Sequence, residues 1–445
     1  MKLSWKLFIP GVAVAGALSF ACLGTEGPPG DNGSLDQGLG GASDAGSHQD
    51  AGTGSDGGVC APVIHPEREL FITDLSVVKD ARTKNNGAWS FQHLIDAMTP
   101  AGTNPSKFVI DWLESWPNNT TVNGFPVDQR PLVTTDIINA WPKLHDGSLD
   151  LSKAPLRLMA IVARLDLRTS CSDTGEGRFI WEFLQGNGQP FSPSFTVIFE
   201  YHLPLSQDVH QWAQDWHNLG SLNFGSAYNT ALEKVTDGFT AKGAFPGRLN
   251  GSALDQLRTN EIVMDGFWEL REFTLQAAQG SDAGQLLENF TKQNPDQSFA
   301  FNPDAGETLA KLLEKNRAGV IAQKFIIPSS FLGGISPEAG NDRWNPPVFL
   351  PDGGFDTALR NAFAVQTCNG CHYFETGTTF LQVGGGGSLP DGGFSPAILS
   401  GFIQNTALPQ RETDLKRLLC NKTCVGTSLA TDPIAEPDFT PGAIE

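Results

Sequence analysis

Positive charge is scarce in this sequence of 445 residues. It has 30 lysine and arginine residues against 49 aspartate and glutamate residues, which gives a formal net charge of -19. Binding to nucleic acid depends on clustered lysine and arginine side chains that neutralise phosphates. The charge balance therefore argues against nucleic acid as a partner.

Common catalytic motifs are also missing. The sequence contains no Gly-x-Ser-x-Gly, and the glycines at 384–387 are not followed by the lysine of a phosphate-binding loop. His210 and His217 fall on one predicted helix, but not in a Glu-x-x-His or His-x-x-x-His pair. We expect these histidines to border an aromatic packing face, and a metal centre is the alternative.

The apolar run at the amino terminus is too short to span a membrane. Residues 7–21 are mostly apolar, follow a basic segment and end directly before Cys22. A short apolar segment behind a basic start is typical of a signal peptide, which we place at residues 1–21.

The junction at Cys22 resembles a bacterial lipobox. The resemblance implies that Cys22 becomes a lipidated amino terminus that anchors the protein to a membrane, and the uncharged Leu23 implies sorting to the outer membrane. An ordinary signal peptide cut after Ala21, with a periplasmic or secreted product, is the alternative. Residues 22–59 are rich in Gly, Asp and Ser and have almost no large apolar side chains. Since they cannot bury enough apolar surface to fold, we predict a disordered tether.

From Cys60 onward the patterns predict the fold class α+β. Apolar runs separated by turn signals predict antiparallel strands that begin at Leu156, Arg178 and Phe195. Asn260 to Leu275 is typical of a hairpin. Helical spacing occurs at 94–98, 108–116, 208–217, 227–235, 285–290, 308–317, 355–366 and 395–404. We predict an antiparallel-sheet domain at 60–276, a helical connecting region at 277–345 and a mainly helical, loop-rich region at 346–445.

Charged residues recur along the predicted hairpin. They are Glu261, Glu269, Arg271 and Glu272. Alternating charge on a strand is typical of a solvated face, or of ion pairs at a seam between domains. We predict one of these two structural roles for them.

One short motif has a specific chemical meaning. The stretch Cys368-Asn369-Gly370-Cys371-His372 has the spacing that attaches a c-type haem. Two thiols on one turn can each add across a vinyl group of one porphyrin, and the imidazole that follows can ligate the iron. We therefore predict Cys368 and Cys371 as haem-binding residues and His372 as the iron ligand. The predicted helix before them resembles the first helix of cytochromes c.

The second axial ligand of such an iron is not evident. No methionine or histidine follows His372, whereas a small cytochrome c takes its axial methionine from that part of the chain. Met98, Met159 and Met264 are the only methionines after the predicted signal peptide. The ligand could come from the preceding domain, from His210 or a neighbouring histidine for example; otherwise the iron is five-coordinate or there is no haem. Five-coordinate iron would favour ligand binding or peroxide chemistry over electron transfer alone.

The number of cysteines does not decide between these possibilities. After the tether the chain has Cys60, Cys171, Cys368, Cys371, Cys420 and Cys424. With haem, the four cysteines outside the motif can form two disulfides; without haem, all six can form three. A zinc site made by the last four of these cysteines is a third alternative.

Four segments resemble a group of uncharacterised bacterial exported lipoproteins. They are residues 195–201, 258–262, 268–273 and 367–372. The resemblance implies an α+β body with a Cys-x-x-Cys-His motif near its carboxyl end, and it supplies no activity. We predict a cell-envelope lipoprotein that carries a covalent c-type haem and acts in electron transfer or redox chemistry with an unknown redox partner. The alternative is a non-enzymatic surface binding or structural lipoprotein in which the motif cysteines form disulfides.

Overall fold

An antiparallel β-sheet lies at the centre of the folded part of the chain. The computed structural model describes residues 60–168, 170, 173–277, 283–337, 344–387, 389 and 393–421. The predicted signal peptide and tether, with Cys22, lie outside the described residues, and so do Cys171 and Cys424.

All the strand pairs of the described residues are antiparallel. The strands are β1 (Phe71–Ile72), β2 (Thr120–Val122), β3 (Phe125–Val127), β4 (Leu156–Arg164), β5 (Glu176–Phe183), β6 (Thr196–His202), β7 (Leu254–Glu261), β8 (Glu269–Leu275), β9 (Leu286–Asn289), β10 (Ser336–Pro337), β11 (Val383–Gly384) and β12 (Ile398–Leu399). The main sheet has the order β1-β4-β5-β6-β7-β8-β10, and β9 also pairs with β8. The predicted α+β class with an antiparallel sheet is confirmed.

Helices surround this sheet. They are α1 (Pro66–Glu69), α2 (Leu75–Val78), α3 (Phe91–Met98), α4 (Pro105–Leu113), α5 (Val209–Leu219), α6 (Ser226–Thr240), α7 (Ser298–Phe301), α8 (Pro303–Lys315), α9 (Arg317–Ile321), α10 (Thr357–Ala364) and α11 (Leu408–Cys420). Side-chain caps fix several starts: Ser90 accepts from the backbone of α3, and Asp208 from that of α5. Among the helices that the structure describes, none has an apolar stretch long enough to cross a bilayer.

The sheet has two different faces because side chains alternate along each strand. Phe179, Phe199 and Leu257 lie on one face and join helices α3 to α6 in the largest apolar core. The intervening positions, such as Arg178 and Arg258, lie on the opposite face. That opposite face combines a small apolar cluster with a charged area, and the carboxyl-terminal part of the chain covers it.

Two predicted helices are wrong. Residues 285–290 have helical apolar spacing, but Leu286–Asn289 pairs with the edge of β8, and this tertiary pairing overrides the local preference. Residues 395–404 begin with the short strand β12, which pairs with β11. Helical backbone starts only at Gly401 and continues through Ile403–Ala407 into α11.

Helix α11 joins the end of the chain to the sheet domain. Leu415 and Leu418 are buried in the same core as α3 to α6. A disulfide links Cys420 at the end of α11 to Cys60, 360 residues earlier in the sequence. The predicted boundaries near residues 276 and 345 stay predictions.

Candidate functional site

The Cys-x-x-Cys-His motif occupies a tight turn directly after α10. Asp356 caps the start of helix α10, because its carboxylate accepts a hydrogen bond from the backbone N–H of Leu359 at 3.0 Å. After α10 the chain makes another helical turn, in which the N–H of Cys371 donates to the carbonyl of Thr367 at 2.9 Å. The bidentate ion pair of Arg360 with Glu375, at 2.7 and 2.8 Å, joins α10 to the residue after the turn.

Gly370 is required by close packing within the motif. A Cβ atom at this position would lie 1.9 Å from the carbonyl oxygen of Ala364, a distance that no side chain can occupy. The N–H of Gly370 donates instead to the hydroxyl of Thr367 at 3.1 Å. The backbone of the motif therefore folds onto the end of α10.

The two motif sulfurs are not bonded to each other. Cys368 and Cys371 are both thiols, and the disulfide among the described residues is the one between Cys60 and Cys420. The side chain of Gln382 donates to the carbonyl of Cys371 and contacts its sulfur at 3.6 Å. Burial raises the pKa of the Cys371 thiol, and the bond from Gln382 and nearby arginines oppose that rise.

The imidazole of His372 is held at one nitrogen. Its Nδ1 lies 2.7 Å from the carbonyl oxygen of Phe380, and the amide of Asn260 donates to the same oxygen at 2.7 Å. The Oδ1 of Asn260 accepts from the indole of Trp268 at 2.6 Å, which fixes the orientation of the amide. The Nδ2 of Asn260 also lies 3.1 Å from Nδ1 of His372, but both atoms are closer to the carbonyl oxygen of Phe380. A carbonyl oxygen can only accept, so the shorter contact assigns the proton to Nδ1, which donates to Phe380 as Asn260 does.

The other imidazole nitrogen, Nε2, is available. Within the part of the chain that the structure describes it makes no hydrogen bond, and it is not fully buried. Burial lowers the pKa of His372, with the charge of Arg258 acting in the same direction and the bond to Phe380 opposing it. The ring is therefore neutral at pH 7, with a lone pair on Nε2.

The three motif side chains lie near Arg258, on the face of the sheet that the carboxyl-terminal part of the chain covers. The thiols of Cys368 and Cys371 and the ring of His372 all interact electrostatically with this guanidinium. Neighbouring strands contribute further charges there. We call this area the sheet floor; it consists of Arg164, Glu176, Arg178, Glu200, Arg258 and Glu272.

The sheet floor is held together by ion pairs between adjacent strands. Arg178 contacts Glu176 at 2.6 Å and Glu200 at 2.9 Å, and Arg258 contacts Glu272 at 3.1 Å. Burial alone would raise the pKa of Glu200, but Arg178 and Arg258 outweigh it and the pKa is lowered. The charged hairpin residue Glu272 is therefore buried in an ion pair between two strands and does not belong to a solvated face.

The residues where the motif turn approaches the sheet floor are not completely covered. Arg178 and Arg258 keep 13% and 21% of their side chains accessible. His372 and Cys371 are likewise only partly covered. We call this partly covered area between the motif turn and Arg258 the crevice. A separate cavity of about 390 Å³, lined by parts of α2, β4 and residues 393–397, contains none of the motif residues.

Other candidate ligands have structural partners. The Nδ1 of His217 lies 2.8 Å from the carboxylate of Glu69, and the Nδ1 of His210 lies 2.9 Å from the carbonyl of Leu418. In the described ranges no group of three or more His, Cys, Asp or Glu side chains is arranged to hold a metal ion. Cys420 forms a disulfide with Cys60, so it cannot be a ligand in the alternative zinc site.

The methionines are unavailable as axial ligands in this conformation. Met98, Met159 and Met264 are at most 3% exposed. They fill apolar cores next to the sheet, where other side chains surround the sulfur. None of these three methionines thus offers its sulfur to the iron that His372 would ligate.

The structure brings together the three residues predicted from the motif and adds partners that the motif did not reveal. Asn260, Trp268, Phe380 and Gln382 hold the turn through the contacts given above. Asn260 and Trp268 lie in two of the segments on which the resemblance to exported lipoproteins was based. That resemblance was the only feature of the sequence that pointed to them. Gln382 and Phe380 had no signal in the sequence.

Comparison with known proteins assigns no family to this arrangement. The chain matches no protein-family model, no curated protein and no solved structure.

Proposed function

We propose that this chain is a cell-envelope protein that carries one covalently attached c-type haem and acts in electron transfer or redox chemistry. Cys368 and Cys371 are the proposed thioether donors, and His372 is the proposed iron ligand. Lipidation at Cys22 and anchoring in the outer membrane belong to the same proposal, as does a redox partner of unknown identity.

The observation that carries the proposal is the state of the His372 imidazole. A proximal ligand needs a neutral ring, a fixed orientation and a free lone pair. The bond from Nδ1 to the carbonyl of Phe380 supplies the orientation and leaves Nε2 as the ligating atom. Outer-shell bonds of this kind, from the remaining ring N–H to a carbonyl, accompany most histidine ligands of metals.

The two cysteines and the histidine of the motif fit a c-type haem, and the residues around them fit one edge of such a haem. Attachment adds each S–H across a carbon–carbon double bond, so it needs thiols and no oxidant, and both motif cysteines are thiols. Trp268 and Phe380 supply apolar surface beside the imidazole. The charged sheet floor suits the carboxylate edge of a haem and not its apolar ring, so ring contacts must come from the motif side of the crevice.

When bound, the haem would supply an iron that cycles between two oxidation states. The residues of the chain hold the side chains of the motif in position. Asn260 and Phe380 hold the ring of His372, Gln382 holds the backbone of Cys371, and Gly370 lets the turn close.

The test is expression in a bacterial host with the c-type maturation system, followed by the visible spectrum and intact mass. The proposal predicts a Soret band and a mass gain of one haem that survives denaturation. The Cys368→Ser, Cys371→Ser double variant should lose both, while the Cys60→Ser, Cys420→Ser variant should keep them. A wild-type protein without a Soret band and without added mass would overturn the proposal.

The rival function, a non-enzymatic surface binding or structural lipoprotein, is favoured by one observation. The motif faces a floor of ion pairs, and such a floor serves a structural seam as well as a cofactor site. In that case Cys368 and Cys371 would be oxidised, and the intact mass would show a loss of about two hydrogens for each disulfide. The same mass measurement therefore separates the two functions.

A further inference from the structure

Arg411 is a buried cation without an adequate counter-charge. It lies on α11, where the residue is 7% exposed. Its Nη1 is buried and has no hydrogen-bond partner in the described part of the chain. Its nearest carboxylate is that of Asp166, 3.9 Å from Nε, which is longer than a hydrogen bond.

The neighbouring carboxylates are already paired with other arginines. Asp166 accepts two bonds from Arg164, at 3.0 and 2.9 Å. Arg178 binds Glu176 and Glu200 on the sheet floor. Arg178 serves two of these acids, and counting hydrogen-bonded pairs leaves Arg411 as the arginine of this cluster without a carboxylate partner in the described part of the chain.

The electrostatic surroundings of Arg411 agree with this count. Burial lowers the pKa of Arg411 to about 9, and the positive charges of Arg164 and Arg178 act in the same direction. An arginine side chain stays protonated at neutral pH even so. The guanidinium is therefore a buried charge that no carboxylate of the described residues hydrogen-bonds, and leaving a buried charge without such a partner is destabilising.

The guanidinium also lies near the motif. Arg411 interacts electrostatically with the thiol of Cys371 and with Arg164, which keeps 17% of its side chain accessible. Arg411 itself keeps 8% of its side chain accessible. A planar guanidinium binds carboxylates and other oxyanions with two parallel hydrogen bonds.

We propose that Arg411 forms an oxyanion-binding site in the crevice beside Cys371, and that its ligand is a carboxylate or a small inorganic oxyanion. Two kinds of molecule carry such an anionic group. One is a free anion, which needs no haem. The other is a propionate of the haem, in which case the inference rests on the proposed function.

The experiment titrates the full-length, haem-free chain with sodium propionate and with inorganic phosphate, in a low-salt buffer at pH 7, by isothermal titration calorimetry. Three proteins are compared: wild type, Arg411→Met and Arg417→Met. Arg417 lies on the same helix but is exposed, so its variant removes the same charge from α11 without touching the site. Methionine keeps much of the apolar stem of arginine, and an apolar replacement of a buried unpaired charge is compatible with folding.

Wild type should bind at least one of the two anions, Arg411→Met should weaken that binding about tenfold or more, and Arg417→Met should leave it unchanged. Arg411→Met should also unfold at a higher temperature than wild type in anion-free buffer. Wild type that binds neither anion, or an Arg411→Met variant that binds as well as wild type, would overturn the inference.

The haem-loaded chain distinguishes the two sources. If a propionate occupies Arg411, the loaded chain no longer binds the free anion; if the ligand is a free anion, the loaded chain binds it as before. Should no preparation acquire haem, the proposed function fails, while the titration of the haem-free chain still decides whether Arg411 is an anion site.

Discussion

Asn260 is the residue on which the position of His372 depends. Its amide donates to the carbonyl of Phe380, and its oxygen accepts from the indole of Trp268. Replacing it with alanine leaves these two buried groups without their partner. We expect Asn260→Ala to lower the free energy of unfolding by about 1–3 kcal/mol, measured by urea denaturation.

The control for this variant is Asn218→Ala. Asn218 makes a comparable amide bond to Gln214, but on the exposed side of α5. Because water can replace that partner, we expect a change within about 0.5 kcal/mol. Equal losses in the two variants would contradict the role given to Asn260.

Glu261 makes stability depend on pH. It is 1% exposed, and burial followed by the charge of Glu269 raises its pKa from 4.5 to about 7. The folded state therefore holds this proton at pH values where the unfolded state has released it. The contribution of Glu261 to the free energy of unfolding is fully present below about pH 4.5. It is lost as pH rises to about 7, and the loss is about 3 kcal/mol in all.

Glu261→Gln should remove this part of the pH dependence. Relative to wild type, the variant should gain about 3 kcal/mol in unfolding free energy between pH 4.5 and pH 8, because glutamine does not ionise. The exposed Glu307→Gln, on α8, is the matched control and should follow the wild-type profile. Parallel pH profiles for wild type and Glu261→Gln would show that Glu261 does not titrate in this range.

At the scale of elements, the motif turn depends on α10 through Gly370. A methyl group there would meet the carbonyl of Ala364 at 1.9 Å, so the turn must move away from the end of α10. We expect Gly370→Ala to cost about 1–3 kcal/mol in denaturant unfolding and to lower the yield of attached haem. Gly247→Ala, at an exposed glycine with open space around it, should leave both quantities unchanged.

The sequence predicted where strands and helices lie in the chain better than it predicted which of them pair or pack together. Alternation and turn signals located β4, β5, β6 and β8 because each of these strands keeps one apolar face. The hairpin predicted from Asn260 to Leu275 includes only the last two residues of β7. The strand β9 was taken for a helix because its pairing with β8 is invisible in its own spacing. For the same reason Arg411 was not identified: its environment comes from strands more than 200 residues earlier in the chain.

At the scale of the whole molecule, one disulfide ties the start of the folded part to its last described helix. Cys60 and Cys420 close a segment with a sequence separation of 360 residues. Closing a long loop restricts the unfolded chain, and native disulfides contribute about 2–4 kcal/mol. We expect Cys60→Ser, Cys420→Ser to lose an amount near the upper end of this range in urea unfolding.

The control for that variant keeps the long loop closed. Cys368→Ser, Cys371→Ser removes two thiols that are not bonded to each other, so the loop-closure contribution remains. In haem-free protein we expect it to unfold close to wild type. A double serine variant at 60 and 420 that is as stable as wild type would mean that this disulfide does not constrain the unfolded chain.

The same disulfide also sets the path of mechanical load through the protein. A pull between the two ends of the chain passes from Cys60 to Cys420 directly through the disulfide, and it bypasses the two-residue edge strand β1. The segment between the two cysteines, including α11 and the strands under the motif turn, thus stays shielded from tension while the disulfide is intact.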